Sequence, residues 1–363
     1  MKILFAIQGT GNGHISRAIT LLPYLKKYGK VDLLVSGKHN GIAPALPVSF
    51  HYDGLGFSFG KTGGIDFAKT FTEAKILRIF KELESVPVDN YDLVINDFEP
   101  ITAWACKIKQ RPCLGLSHQA ALLLPGVPLP DESNILGNLV LKHYAPVSDG
   151  ISFHFKSWHP DILTPVIRND LRETNPRDNG HLTVYLPAYS EHSLTQIFAN
   201  LSGVKVEIFA SGAKKRKVNN SVTISPVEQN GFVESMASAH AVICGAGFET
   251  PAEALLLKKK LLVIPMKNQY EQQCNAAALD KMGVKVLQRL GMESIGEINN
   301  WLATHPANHV NFPNRNQEIF EQLFEKFENQ TASRRKKTTK ADYFDMLQTG
   351  YNNIKNRAIN QLF

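Results

Sequence analysis

A chain of 363 residues is longer than a typical single domain, and its length predicts two. Its 43% hydrophobic and 20% charged residues are those of globular material that buries a sizeable core without disulfide or metal staples. The formal net charge of +7 favours an anionic substrate, an anionic membrane face or nucleic acid as partner.

Strand and helix signals alternate from the start. Residues 3–8, ILFAIQ, form a continuous apolar run, as a buried parallel strand requires. A glycine-rich turn, Gly9 to Gly13, follows; then Ile15, Ala18, Ile19, Leu22 and Leu25 recur at helical spacing. Strands are expected at 31–36, 48–57, 91–97 and 112–118, with helices at 66–86 and around Trp104. The prolines of 160–178 mark the boundary. A second series then predicts strands at 181–188, 204–211, 241–247 and 260–266, and helices at 192–201, 232–239, 248–257 and 269–283. Residues 314–329 predict a helix with Ile319, Phe320, Leu323, Phe324 and Phe327 on one side. A basic run and an amphipathic segment at 341–362 complete the chain. Two series of strand–helix units with buried strands argue for two doubly wound parallel sheets. The expected organisation is one domain over 1–164, a second over 165–312, a helix at 313–330 packing back, and a basic tail with its amphipathic helix at 331–363.

Cys106, Cys113, Cys244 and Cys274 form no C-x-x-C pair and read as buried thiols of a reducing compartment, not as disulfides or zinc ligands. The first apolar run is too short for a signal-peptide core, and no stretch reaches bilayer-spanning length, which predicts a cytoplasmic protein. Three basic clusters, Lys214 to Lys217, Lys258 to Lys260, and Arg334 to Lys340, read individually as solvated surface.

The loop Gly9-Thr10-Gly11-Asn12-Gly13-His14 leaves the first strand and opens a helix, where glycines admit an anion to the backbone and the helix start favours negative charge. A dinucleotide site needs its third glycine one position later, where His14 stands. It also needs an acid at the end of the second strand, which ends in Ser36 and Gly37, so a nicotinamide site is not expected. Gly56 to Thr62 resembles a P-loop but is one residue short. His14 points into the crevice where such sheets bind ligands, and a neutral imidazole takes a proton from a hydroxyl near neutral pH. The plainer reading is a histidine that caps or packs. Asp97 and Glu99 follow the fourth strand; either orients His14, contacts a substrate hydroxyl or caps the next helix. His118 and Gln119 end the fifth strand in a similar place.

Residues 244–276 carry a second layout. Small residues at 245–247 let a helix start face a phosphate, and Glu253 offers a carboxylate that can grip a vicinal diol such as ribose. A strand ends at Pro265, and the next helix opens with a polar cluster, Gln269 to Gln273. This ordered set resembles the GT-B glycosyltransferases, especially their MurG-like and UDP-glucuronosyltransferase-like groups. The shared features are a glycine-rich turn, a helix bearing a glutamate, a strand ending in proline and a Gln-x-x-Asn-Ala-like helix start. Gly-Thr-Gly-x-Gly-His at 9–14 is similar to the MurG-like N-terminal signature. Pro165-Val166-Ile167-Arg168-Asn169-Asp170 resembles the interdomain segment, with one residue inserted. The resemblance covers residues 1–329 in layout.

The resemblance implies an α/β protein of two Rossmann-like doubly wound domains facing across a cleft. It implies transfer of a sugar from a nucleotide-diphosphate donor, a uridine nucleotide, to an acceptor hydroxyl, without metal and with inversion. It places Gly11, Asn12, Gly13 and His118 on the acceptor side, with His14 as base and Asp97 beside it. Arg168 and the turn Gly245-Ala246-Gly247 meet the diphosphate, Glu253 the ribose, and Gln272 and Gln273 the donor sugar. No cofactor is expected, and no Asp-x-Asp-like metal cluster stands near these loops. The acceptor is a saccharide or a lipid-linked molecule; the apolar segment 120–130 and the basic tail would then rest on the inner membrane face. The other reading of that segment is packing on the protein itself. Three departures stand out: Ala188-Tyr189-Ser190 replaces a glycine-rich turn, Cys244 stands at a His or Ser position, and Lys258 to Lys260 replace a small-Gly-x-Pro turn. Rival readings are a nucleotide-sugar 2-epimerase and a non-catalytic sugar-nucleotide sensor. Nucleic acid is not expected, because no stacking aromatic set accompanies the basic tail.

Overall fold

The computed structural model describes residues 1–37, 46–54, 76–131, 134–227 and 229–337. The P-loop-like segment, the first part of the helix expected at 66–86 and the amphipathic segment at 341–362 lie outside the described residues.

The first series contains β1 (Lys2–Gln8), α1 (Asn12–Leu25), β2 (Lys30–Ser36), β3 (Val48–Tyr52), α2 (Ile76–Ser85), β4 (Leu93–Asp97), α3 (Pro100–Ile108), β5 (Cys113–Ser117), α4 (Ile135–His143), β6 (Asp149–Phe153) and β7 (Ile162–Leu163). Its sheet runs β3-β2-β1-β4-β5-β6-β7, with every pairing parallel. Ile3 to Ile7 are fully buried because helices cover both faces of a parallel sheet. Helix α1 turns Ile15, Ala18, Leu21, Leu22 and Leu25 inward, whereas Ile19 remains 40% exposed and departs from the expected apolar face.

The second series contains α5 (Asn169–Arg172), β8 (His181–Tyr185), α6 (Glu191–Phe198), β9 (Lys205–Ala210), β10 (Lys217–Asn219), β11 (Val222–Pro226), α7 (Gln229–Ser238), β12 (Ala241–Gly245), α8 (Glu249–Leu256), β13 (Lys260–Ile264), α9 (Tyr270–Lys281), β14 (Lys285–Val286), α10 (Ile295–Thr304) and α11 (Asn316–Lys337). Its sheet runs β10-β11-β9-β8-β12-β13-β14; only the edge strand β10 is antiparallel. In both sheets the strand order reverses beside the first strand of the half, the topological switch at which such sheets bind ligands.

Helix α11 returns to the first half. Phe324 stacks on Tyr28 with centroids 4.1 Å apart, and Lys326 reaches Asp149 at 2.9 Å. Elements β6, β7, β10, β11, β14, α4 and α10 have no counterpart in the sequence reading; several are too short for periodicity to register. The cluster Lys258 to Lys260 is not simply solvated surface. Lys258 adopts φ +57 at the end of α8, where glycine is usual, and buried Lys259 donates to the carbonyls of Ala239 and Arg177. Among the described residues no helix is long and apolar enough to cross a membrane, and no cluster of three or more His, Cys, Asp or Glu is arranged to hold a metal ion.

Candidate active site

The site begins where β1 and β4 end. Gly11 precedes α1 in an extended conformation, so His14 lies on the first turn of the helix and faces the end of β4. Its Nδ1 lies 2.9 Å from Asp97 Oδ1. Glu99 does something else: its carboxylate caps α3, accepting from the amides of Ile101 at 2.8 Å and Thr102 at 2.6 Å. Of the two acids expected near His14, tertiary packing gives the imidazole to Asp97.

Arg17, one turn beyond His14, completes the cluster. Its Nε donates to Asp97 Oδ2 at 3.0 Å and its Nη2 to Asp97 Oδ1 at 2.8 Å, a bidentate pair. Its Nη1 reaches Glu249 of the second half. Arg17 is only 3% exposed and Asp97 is fully buried. Burial pulls the His14 imidazole down, but Asp97 and its hydrogen bond outweigh burial and leave it above its ordinary value; Arg17 opposes that rise and Glu249 adds to it. Burial raises Asp97 in turn, but Arg17 and His14 win and hold it ionised. An ionised carboxylate only accepts, so the contact with Asp97 assigns the imidazole proton to Nδ1, which donates to Asp97. That leaves Nε2 as the basic nitrogen, with Gln119 Nε2 3.5 Å away.

The second half presents the glycine turn, α8 and the start of α9. A Cβ built on Gly11 or Gly247 would meet nothing within 4 Å, and one on Gly245 would come no nearer than 3.6 Å to Gln272 Oε1. Space is therefore open beside both turns. Ala246 is buried; its amide donates to Ile264 O at 3.3 Å and its carbonyl accepts from Asn275 Nδ2 at 3.0 Å. Gln272 Oε1 accepts from the Met266 amide at 2.9 Å, which fixes its side-chain amide at the β13–α9 turn; Gln273, next on α9, is half-buried. Glu253, on the second turn of α8, is 7% exposed and lies 3.1 Å from Arg168 Nε. Burial pushes its carboxyl up to about 7, against the pull of Arg168.

The two halves touch around this space. His118 Nδ1 donates to Phe153 O at 3.1 Å, and the ring stacks on Phe248 with centroids 3.9 Å apart. Gln119 donates to Glu271 at 3.1 Å. A Cβ on Gly13 would collide with the Glu249 carboxylate, so only glycine admits this approach. His118 is buried and held neutral, its basicity depressed by desolvation and by His154. Arg17, Glu249 and Glu271 escaped the sequence reading. Arg17 carries the clearest signal: a charged side chain three residues from His14, on the same helical face, amid inward apolar positions.

The sequence model of glycosyl transferase family 1 matches residues 1–306. No curated protein matches the chain. Among solved structures, the glycosyltransferase SnogD from Streptomyces nogalater superposes with a TM-score of 0.50 at 15% identity, covering 90% of this chain and 99% of that one. UGT89C1 from Arabidopsis thaliana, complexed with UDP, gives 0.56 at 12% identity over 92% and 99% of the two chains. LpCGTa in complex with UDP gives 0.56 at 15% identity over 90% and 94%. With residues 1–306 matched and both sheets in place, the chain belongs to glycosyl transferase family 1 and is a glycosyltransferase of the GT-B fold.

Proposed function

We propose that the protein transfers a sugar from a UDP-sugar to an acceptor hydroxyl, with inversion, and that protein groups, not a metal ion, carry the diphosphate charge. The observation that carries this reading is that the His14–Asp97 pair of the first half meets, through Arg17 and Glu249, the start of α8, the helix that bears Glu253 with its partner Arg168. His14 Nε2 takes the acceptor proton while Asp97 stabilises the imidazolium that forms. Arg168, the Gly245–Gly247 turn and the start of α8 receive the departing diphosphate. Glu253 holds the ribose, and Gln272 and Gln273 bind the donor sugar. A single base opposite the leaving group means one displacement, hence inversion. The UDP bound to LpCGTa and UGT89C1 supports uridine here.

In this reading residues 1–164 form the acceptor half and 165–312 the donor half, followed by the returning helix at 313–330 and a basic tail at 331–363. Exposed Ile135, Leu136 and Leu139 on α4, with Leu123 and Leu129 before it, support a lipid-linked acceptor met at the inner membrane face. Thermal shift with a panel of nucleoside diphosphate sugars tests the donor, since a ligand that binds the native state raises its melting point according to affinity. UDP-sugars should stabilise the protein with or without EDTA, and no sugar conversion should occur without acceptor. Stabilisation that requires a divalent cation, or donor epimerisation without acceptor, overturns the proposal.

A further inference from the structure

We propose that Arg17 is a positioning residue of the reaction centre: it aligns Asp97 against His14 on one side while Glu249, from the opposite half, holds its other side. The charge state of the base is thus set jointly by both halves. The inference rests on His14 acting as the base.

The geometry leaves Arg17 little freedom. Three of its nitrogens are engaged, two by the buried Asp97 and one by Glu249, which lies 232 positions away in sequence. Asp97 Oδ1 is shared: His14 Nδ1 lies 2.9 Å and Arg17 Nη2 2.8 Å from the same oxygen. Arg17 Nη2 also lies 2.9 Å from His14 Nδ1. Both atoms carry hydrogens in the assigned tautomer, so this close approach is repulsive once the ring is protonated. Arg17 therefore disfavours the imidazolium, and Glu249 counters that effect by drawing on the same guanidinium.

The contact is built into the backbone. Gly13 lacks the Cβ that would collide with Glu249, and Glu249 opens α8, the helix that bears Glu253. The charged groups facing His14 are Asp97 from β4, Arg17 from its own helix, Glu249 from α8 and Glu271 from α9. Gln119 is its neutral neighbour. Burial keeps Glu271 above the usual carboxylate range, so Glu249 is the carboxylate of the second half that acts through Arg17.

The experiment is an NMR titration of the full-length protein. The His14 ring resonance is assigned by its loss in His14→Gln and followed against pH in the wild type, Glu249→Gln and Arg17→Met. Removing the Glu249 charge should shift the His14 midpoint to lower pH, and removing the Arg17 charge should shift it to higher pH. UDP-induced thermal stabilisation should persist in Glu249→Gln. Coincident titrations in all three proteins, or shifts in one direction for both variants, overturn the proposal. Should Arg17→Met not fold, Glu249→Gln alone decides, because Glu249 is 23% exposed and the change is nearly isosteric. The underlying base assignment fails separately: a fully active His14→Gln would remove it while leaving the titrations interpretable.

Discussion

Arg168 Nε lies 3.1 Å from Glu253 Oε1, so the cation proposed for the diphosphate and the carboxylate proposed for the ribose face each other. The two meet at ion-pair distance without hydrogen-bond alignment, since Arg168 Nε has no hydrogen-bond partner. Such a pair is held loosely and can turn toward a ligand that offers better geometry to each member.

Glu253→Gln tests the ribose contact. A charged hydrogen bond is worth roughly 2 kcal/mol, so UDP binding should weaken by about thirtyfold. Isothermal titration with UDP measures this, and unchanged affinity would remove Glu253 from the ribose.

The same variant tests the electrostatics of the fold. The Glu253 carboxyl is raised from 4.5 to about 7 by burial, so its contribution to stability is fully present below about pH 4.5 and is lost as pH rises through 7. The loss is on the order of 3 kcal/mol. Glu253→Gln should therefore lose less melting temperature between pH 5 and pH 8 than the wild type does. Parallel curves would show that the folded carboxyl is not displaced.

His14→Ala should lower turnover by on the order of 10²–10⁴ while UDP affinity is kept. In the wild type the acid limb of kcat/KM should have its midpoint above 6.5, because the base must be neutral and Asp97 raises its pKa. A limb at or below 6.5 would mean that burial, not Asp97, controls the imidazole.

Asp97→Asn should cost both activity and stability. Losing the partner that fixes the imidazole tautomer should lower turnover by on the order of 10³–10⁴. Arg17, only 3% exposed, would then be left without its bidentate acceptor, at a cost of about 3–5 kcal/mol. Thermal denaturation reads the second effect, and a melting point equal to the wild type would contradict the buried pair.

Two glycine substitutions should separate folding from assembly of the site. In Gly150→Ala the new Cβ would strike the Gly115 backbone across the β5–β6 pair, so about 1–3 kcal/mol of stability should be lost. In Gly13→Ala it would meet only the end of the Glu249 side chain, which can swing away. That variant should melt close to the wild type and yet turn over up to about a hundredfold more slowly, as a displaced site does. Equal losses of stability in the two proteins would refute the distinction.

Much of the fold was legible because its signals are local. Buried parallel strands must be apolar on both faces, so 3–7, 93–95 and 241–244 announce themselves. The glycine loop before His14 and the small residues before α8 lie at strand ends for the same reason. Short elements such as β7 and β14, two residues each, carry no period and emerge only from the register of their neighbours.

The sequence by itself determined two doubly wound sheets, His14 at the helix start after the first strand and Glu253 within the helix that follows the small-residue turn, because hydrophobic periodicity and turn chemistry act over a few residues. Only the tertiary structure decided that Asp97 and not Glu99 meets His14, that Arg17 stands between His14 and Glu249, and that His118 stacks against Phe248. The choice between two acids two residues apart depends on which one its helix needs as a cap. A partner 83 or 232 positions away depends on how sheets and helices pack, and no local pattern encodes that distance.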